Sequence, residues 1–228
     1  MLLQQTQIPH PPMRRQMLCL LCFRARVGGS SSDINISKRC IWEGIKCNEA
    51  GSITKISWVP FYSHFPGYTT YWVETNLRYI NFTAFPILVH LNLSGMELKG
   101  RIPAQIGTLR KLTLLDLSNN VLSGALPSTL ANLSQLPMLN VSHNYIRGIP
   151  AHIGSLEKLT HLYLSNNDLT GYLPSTLANL SQLTMLDISH NHISGGIPAH
   201  IANLEKLRKL ELYKPPYRCP TKYTCQPF

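Results

Sequence analysis

An apolar triplet of the form Leu-x-x-Leu-x-Leu returns along this chain at nearly constant intervals. It occurs at Leu88/Leu91/Leu93, Leu112/Leu115/Leu117, Leu136/Leu139/Val141, Leu159/Leu162/Leu164, Leu183/Leu186/Ile188 and Leu207/Leu210/Leu212. Successive triplets start 24, 24, 23, 24 and 24 residues apart. A fixed period of this length describes a solenoid whose coils contact only their neighbours. One coil could not fold alone, because burying its own apolar side chains falls short of the conformational entropy lost in ordering it. Neighbours must therefore supply backbone hydrogen bonds and cover both open faces.

The coil reads LxxLxLSxNxLxGxIPxxIxxL, nearly complete from Leu112 to Leu133. Its leading half alternates apolar and polar residues, which predicts a short strand with leucines pointing inward. One strand per coil stacks as a parallel sheet. Asn120, Asn144, Asn167 and Asn191 follow each strand at one offset, where an inward amide can bond backbone groups that the turning chain leaves unpaired. Met96 takes that place in the first coil, as a terminal coil's departure from the ladder.

Ahead of the coils, Cys40, Trp42, Gly44, Ile45 and Cys47 lie in CIWEGIKC. A disulfide across this loop would contribute about 2.5 kcal/mol by chain-entropy reasoning. The strand-like SITKIS, Ser52 to Ser57, would then begin the sheet. Cys219 and Cys225 follow the last triplet and either close a small terminal loop or are free thiols in a frayed tail. Cys19 and Cys22 form a CxxC in apolar surroundings without a second pair, which does not describe a zinc or redox site.

The cap CxWxGIxC, the LSxNxLxGxIP coils and the stretch RCIWEGIKCNEAGSITKIS together resemble the extracellular part of plant leucine-rich-repeat receptor-like kinases, in particular the MDIS1-interacting subgroup. The resemblance spans roughly Asp33 to Leu212. It implies an α/β repeat: a right-handed leucine-rich-repeat solenoid with a parallel β-sheet on its concave face and an N-terminal disulfide cap. It also implies that the GxIP segment forms a second strand and a bend that twists the solenoid. That segment appears as GRIP, GALP, GYLP and GGIP from Gly100, Gly124, Gly171 and Gly195, but only as GIP at Gly148 to Pro150. The missing residue lies outside the principal strand, so a local bend is expected without a broken sheet. A longer repeat is superimposed: LPSTLANLSQL occurs at Leu126 and again at Leu173, and SHNYI is echoed by SHNHI. It points to a duplicated two-coil unit.

The expected organisation is residues 1–32 as a leader or disordered segment, 33–87 as cap and irregular first coil, 88–212 as five full repeats and one partial, and 213–228 as a tail or short cap. Arg14, Arg15, the run MLCLLCF and VGGSSS make a marginal secretion signal, interrupted by Arg24 and Arg26. The alternative is a start that has lost its signal. No run of about 18 apolar residues is present, and no glycine-rich loop, HRD or DFG motif supports kinase chemistry.

The formal charge is +10, and it sits at the ends. Residues 1–49 hold seven Lys/Arg against three acids, 205–228 hold six against two, and the coils between hold eight against six. No basic stripe with interleaved aromatics crosses the sheet, which argues against nucleic acid as a partner. Sequons at Asn35, Asn81, Asn92, Asn132, Asn140 and Asn179 suit a secretory route and an extracellular or cell-surface location. Glycans on Asn92 and Asn140 would obstruct the first half of the concave sheet and leave the C-terminal half for docking.

The outward strand positions are His90 and Asn92, Leu114 and Asp116, Met138 and Asn140, His161 and Tyr163, Met185 and Asp187, and Lys209 and Glu211. Apolar groups exposed among polar ones suit a partner site, and Tyr163, Met185 and Asp187 are its strongest candidates. Strands about 4.8 Å apart would span an extended peptide of about eight or nine residues. Catalysis fails on spacing: His143 and His190, like His152 and His200, lie two coils apart, too far to share a metal. Asp116 and Asp187 are three coils apart, beyond the separation of paired glycosidase carboxylates. The expectation is a chain without cofactor or metal, monomeric alone, that binds a peptide or protein ligand and a co-receptor ectodomain. Two alternatives remain: a secreted inhibitor of a wall-degrading enzyme, similar to plant polygalacturonase inhibitors, and a receptor gene fragment without function.

Overall fold

The computed structural model describes residues 40–58, 76–194 and 199–212. Its principal sheet has eight strands in the order β1-β2-β3-β5-β7-β9-β11-β13. These are Ile45–Cys47 (β1), Ile53–Ser57 (β2), His90–Asn92 (β3), Leu114–Asp116 (β5), Met138–Asn140 (β7), His161–Tyr163 (β9), Met185–Asp187 (β11) and Lys209–Glu211 (β13). From β2 onward all pairings are parallel and in register, one strand per coil. The sheet begins one strand earlier than SITKIS suggested, because β1 turns back antiparallel against β2.

The cap explains that turn. Cys40 and Cys47 are disulfide-bonded. Gly44 between them has φ 79°, and a Cβ there would meet the Ser57 carbonyl oxygen at 2.2 Å. Only glycine permits both the left-handed turn and this approach. Trp58 closes the cap from inside, with its Nε1–H donating to the Glu43 carbonyl at 3.1 Å.

The inward leucines Leu91, Leu115, Leu139, Leu162 and Leu186 are all essentially buried and belong to one continuous core. Opposite the sheet, the chain forms 3-10 turns at Ala104–Thr108, Ser128–Asn132, Ala151–Ser155, Ser175–Asn179 and Ala199–Asn203. The helical half of each described coil is therefore 3-10 rather than α. The first four turns follow Pro103, Pro127, Pro150 and Pro174, whose fixed φ enters the turn. Five residues then suffice to drop one apolar plug, Ile106, Leu130, Ile153 or Leu177, into the core.

The asparagine ladder stands in the core as its offset predicted. Asn144 is representative: its Oδ1 accepts from Leu122 N at 2.9 Å, while Nδ2 donates to the carbonyls of Leu117, Val141 and Ser142. Asn120, Asn167 and Asn191 make the same set. In every case the Oδ1 partner, and one carbonyl, belong to the preceding coil. This explains Met96: the coil before it is the irregular cap, and its side chain packs against the core instead.

Second strands occur at Lys99–Gly100 (β4), Val121–Ala125 (β6), Tyr145–Gly148 (β8), Thr170–Gly171 (β10) and His192–Ile193 (β12). They lie ahead of the Ile-Pro or Leu-Pro pair of their coil. They do not form one sheet: β4-β6-β8 and β10-β12 are separate. The residue missing after Gly148 accounts for the local change. Gly100, Gly124 and Gly171 are left-handed, with φ 82°, 80° and 73°, whereas Gly148 is not. The pairing of β6 with β8 slips at Gly124/Ala125. The principal sheet stays continuous through this coil, as expected, but the second does not.

The contrast predicts different costs for one substitution. Gly124→Ala should lose about 1–2 kcal/mol through the left-handed backbone. Gly148→Ala, whose new Cβ would meet Ala125 Cβ at an ordinary 3.4 Å, should leave stability unchanged or raise it by up to about 1 kcal/mol. Urea unfolding midpoints compare the two.

Candidate concave docking face

Parallel pairing in register converts the outward strand positions into two rows. The first runs Lys55, His90, Leu114, Met138, His161, Met185, Lys209; the second runs Ser57, Asn92, Asp116, Asn140, Tyr163, Asp187, Glu211. Lys55 and Ser57 were absent from the sequence-derived face, since the cap strand carries no leucine triplet. The remaining candidates all fall in the rows.

The apolar members are less open than an isolated strand suggests. Leu114, Met138 and Met185 are half-buried, because in-register neighbours about 4.8 Å away on either side cover each one. Large apolar side chains that are well exposed lie elsewhere: Tyr172 at 84%, Ile41 at 80%, Tyr79 and Tyr145.

Four members of the second row, Asn92, Asp116, Asn140 and Asp187, are tied to the turn that ends their strand. Asp116 Oδ1 accepts from Ser118 N and Oγ at 2.9 and 2.6 Å, and Asp187 Oδ1 accepts from Ser189 N and Oγ at 3.0 and 2.6 Å. Asn140 treats Ser142 in the same way, and Asn92 accepts from Ser94 N. These side chains are thus fixed at one oxygen, which orients the other end of the group. The serines Ser118, Ser142 and Ser189 are buried beneath them.

At the C-terminal end, Lys209 Nζ lies 2.9 Å from Glu211 Oε1. The hydrogen bond and charge of Glu211, with the field of Asp187 behind them, hold the Lys209 ammonium above its usual range. Two coils earlier, the His161 and Tyr163 rings stack with centroids 6.2 Å apart. Thr160 sets the histidine: its Oγ1 lies 2.9 Å from the Pro137 carbonyl and 2.8 Å from His161 Nδ1. Thr160 carries no motif of its own in the sequence, although Thr113, Thr160 and Thr184 recur at one offset ahead of their strands.

The sequons divide by position. Asn132 and Asn179 are exposed at the ends of 3-10 turns, and Asn81 immediately precedes the 3-10 turn Phe82–Ala84. Asn92 and Asn140 lie in the second concave row. Asn35, Cys219 and Cys225 lie outside the described residues.

A stacked sheet of triplet-bearing coils, laced by a buried asparagine ladder, defines a leucine-rich-repeat solenoid. Residues 110–169 and 157–213 match the family model described as leucine rich repeat. Over 115 residues the chain is 31% identical to the leucine-rich repeat receptor-like serine/threonine-protein kinase RGI4 of Arabidopsis thaliana, covering 47% of this chain and 9% of that one. The chain thus spans less than a tenth of that relative's length. The ectodomain of the Arabidopsis receptor kinase HAESA, solved with the peptide hormone IDA and the co-receptor SERK1, is similar at TM-score 0.66 and 30% identity, over 88% of this chain and 32% of that one. A plant ice-binding protein is similar at TM-score 0.63 and 27% identity, over 74% of this chain and 52% of that one. The chain is similar to plant receptor ectodomains in coil type and sequence. The ice-binding likeness shows that this fold alone does not choose a function.

Proposed function

We propose that this chain is a non-catalytic recognition module of a plant cell-surface receptor-like protein, docking a peptide or protein ligand on its concave sheet with a co-receptor ectodomain alongside. The observation that carries the reading is the pair of in-register rows, where half-buried Leu114, Met138 and Met185 alternate with hydrogen-bonding groups that the strand ends already hold in place. Such a surface gains from covering apolar area and loses little entropy, since its polar groups are ordered beforehand. His161, Tyr163, Met185, Asp187, Lys209 and Glu211 form its C-terminal half; Leu114, Asp116 and Met138 form the half beside the Asn92 and Asn140 sequons. The Cys40–Cys47 disulfide supports an oxidising, extracellular compartment. Among the described residues no helix is long and apolar enough to cross a membrane.

The test uses the full chain immobilised and exposed to plant apoplastic fluid and solubilised plasma membrane. A receptor kinase ectodomain or secreted peptide should be captured. Capture should fall at least tenfold with Met138→Lys and Met185→Lys together, and be unchanged by Glu157→Lys outside the sheet. A wall-degrading enzyme as the main captured protein, or equal capture by the concave variant, would overturn the proposal.

A further inference from the structure

We infer that His161, Tyr163, Met185 and Asp187 form a subsite for an arginine side chain of the polypeptide ligand; this deepens the docking reading above and rests on it. The argument starts from one proton. Thr160 Oγ1 approaches the Pro137 carbonyl at 2.9 Å and His161 Nδ1 at 2.8 Å. A carbonyl only accepts and a hydroxyl has one hydrogen. Thr113 and Thr184 donate to the Val89 and Thr160 carbonyls in the same way, with no histidine following either. The Thr160 proton therefore goes to Pro137, and the bond to the ring runs the other way, from Nδ1–H to Oγ1. Neutral His161 then carries its lone pair on Nε2, an acceptor on the concave face. His90, the other histidine of the row, follows Val89 and has no such hydroxyl.

Three further features surround that acceptor. Asp187, the register partner of Tyr163, has Oδ1 committed to Ser189 N and Oγ, which leaves Oδ2 to accept from outside. The Tyr163 ring, stacked against His161, offers a face. Met138 and Met185 flank His161 in the first row. Guanidinium matches this set: it is planar, has five donors and no acceptor, stacks on aromatic faces, and reaches on an apolar stem that methionines can cover. A lysine would meet the acceptors and the ring only as a point charge, without the planar fork that stacks on the ring while donating to both acceptors. The local charge agrees. The whole chain is +10, yet the second row carries Asp116, Asp187 and Glu211, and Lys209 beside them is bound to Glu211.

Two measurements on the full chain test the subsite. Long-range proton–nitrogen correlation spectra should show neutral His161 as the Nδ1–H tautomer, changing to Nε2–H in Thr160→Val; an Nε2–H ring in the unsubstituted chain overturns the proposal. The binding probes are two capped octapeptides of alternating leucine and threonine, one with a central arginine and one with glutamine there. The arginine probe should bind at least tenfold more tightly, and this preference should vanish in His161→Phe and in Asp187→Asn. Both variants preserve the fold, since phenylalanine keeps the stacked ring and Asn140 already fills the equivalent place two coils earlier in the same row. Equal affinity for the two probes, with both lost in Met138→Lys, overturns the arginine subsite and leaves concave docking standing. Persistence of the preference in His161→Phe also overturns the subsite. Binding of neither probe, or binding indifferent to Met138→Lys, overturns the docking reading with it.

Discussion

Replacing Asn144 with alanine is expected to lower the unfolding free energy by more than about 3 kcal/mol, because it strips a partner from several buried groups at once. The Leu122 N–H loses its acceptor, and the carbonyls of Leu117, Val141 and Ser142 lose a shared donor. Asn144 is 6% exposed, so water does not readily replace it. In a stack held by nearest-neighbour contacts, the loss falls on the junction of two coils. Hydrogen exchange should then quicken at Leu122 N–H before it does at Leu98 N–H, which Asn120 serves. Asn144→Asp retains the acceptor but aims a carboxylate at carbonyl oxygens. Its folded form favours the protonated acid, raising the folded pKa above the unfolded one. Stability is therefore retained below the ordinary carboxylate pKa of about 4 and lost as pH rises through the raised value. Denaturant unfolding of the three proteins at pH 3.5 and 7 checks both the size and the sign.

Gly154→Ala should be comparably damaging, about 3 kcal/mol, for a steric reason. A Cβ there would lie 2.2 Å from the Thr176 carbonyl oxygen and 2.9 Å from that residue's carbonyl carbon and Cβ. The obstacle is backbone, so the two coils must part. Thr176 cannot easily retreat, because its Oγ1 donates to the Ala151 carbonyl at 2.6 Å. Gly107 stands under Thr129 in the same relation: a Cβ would meet the Thr129 carbonyl oxygen at 2.4 Å, and Thr129 Oγ1 donates to Ala104 at 2.7 Å. The two-coil repeat is thus more than a mark of origin, since each glycine coil accepts the threonine coil after it. Ala178→Gly, at the equivalent place in a threonine coil, should cost no more than about 1 kcal/mol. Thermal melts of the two variants should separate clearly.

How much of this was legible in the sequence depended on repetition. Leu115, Leu139 and Leu162 could be assigned inward, and Asn120 through Asn191 to a ladder, because the same chemistry returned at one offset. Features that occur once were harder to read. The edge strand Ile45–Cys47 has three residues and no periodic partner, and its antiparallel turn depends on a glycine conformation specific to the cap. The short turns after each proline are 3-10 because five residues cannot complete a stable α-helix there. The break between β8 and β10 arose from one absent residue whose effect on Gly148 is conformational. A strand considered alone has no neighbours on its row, so the sequence suggests exposure for Leu114, Met138 and Met185, whereas in the stack they are half-buried. Thr160 looked like an ordinary polar residue before a strand, and its influence on His161 emerges only when the Pro137 carbonyl one coil back takes its proton.

The ladder's backward reach gives the stack a direction. Every asparagine completes the coil made just before it: Asn120 serves Leu98, Asn144 serves Leu122, Asn167 serves Ile146 and Asn191 serves Leu169. A ribosome delivering this polypeptide from its amino end would therefore finish one storey each time it supplied the floor above, and only the newest storey would wait open.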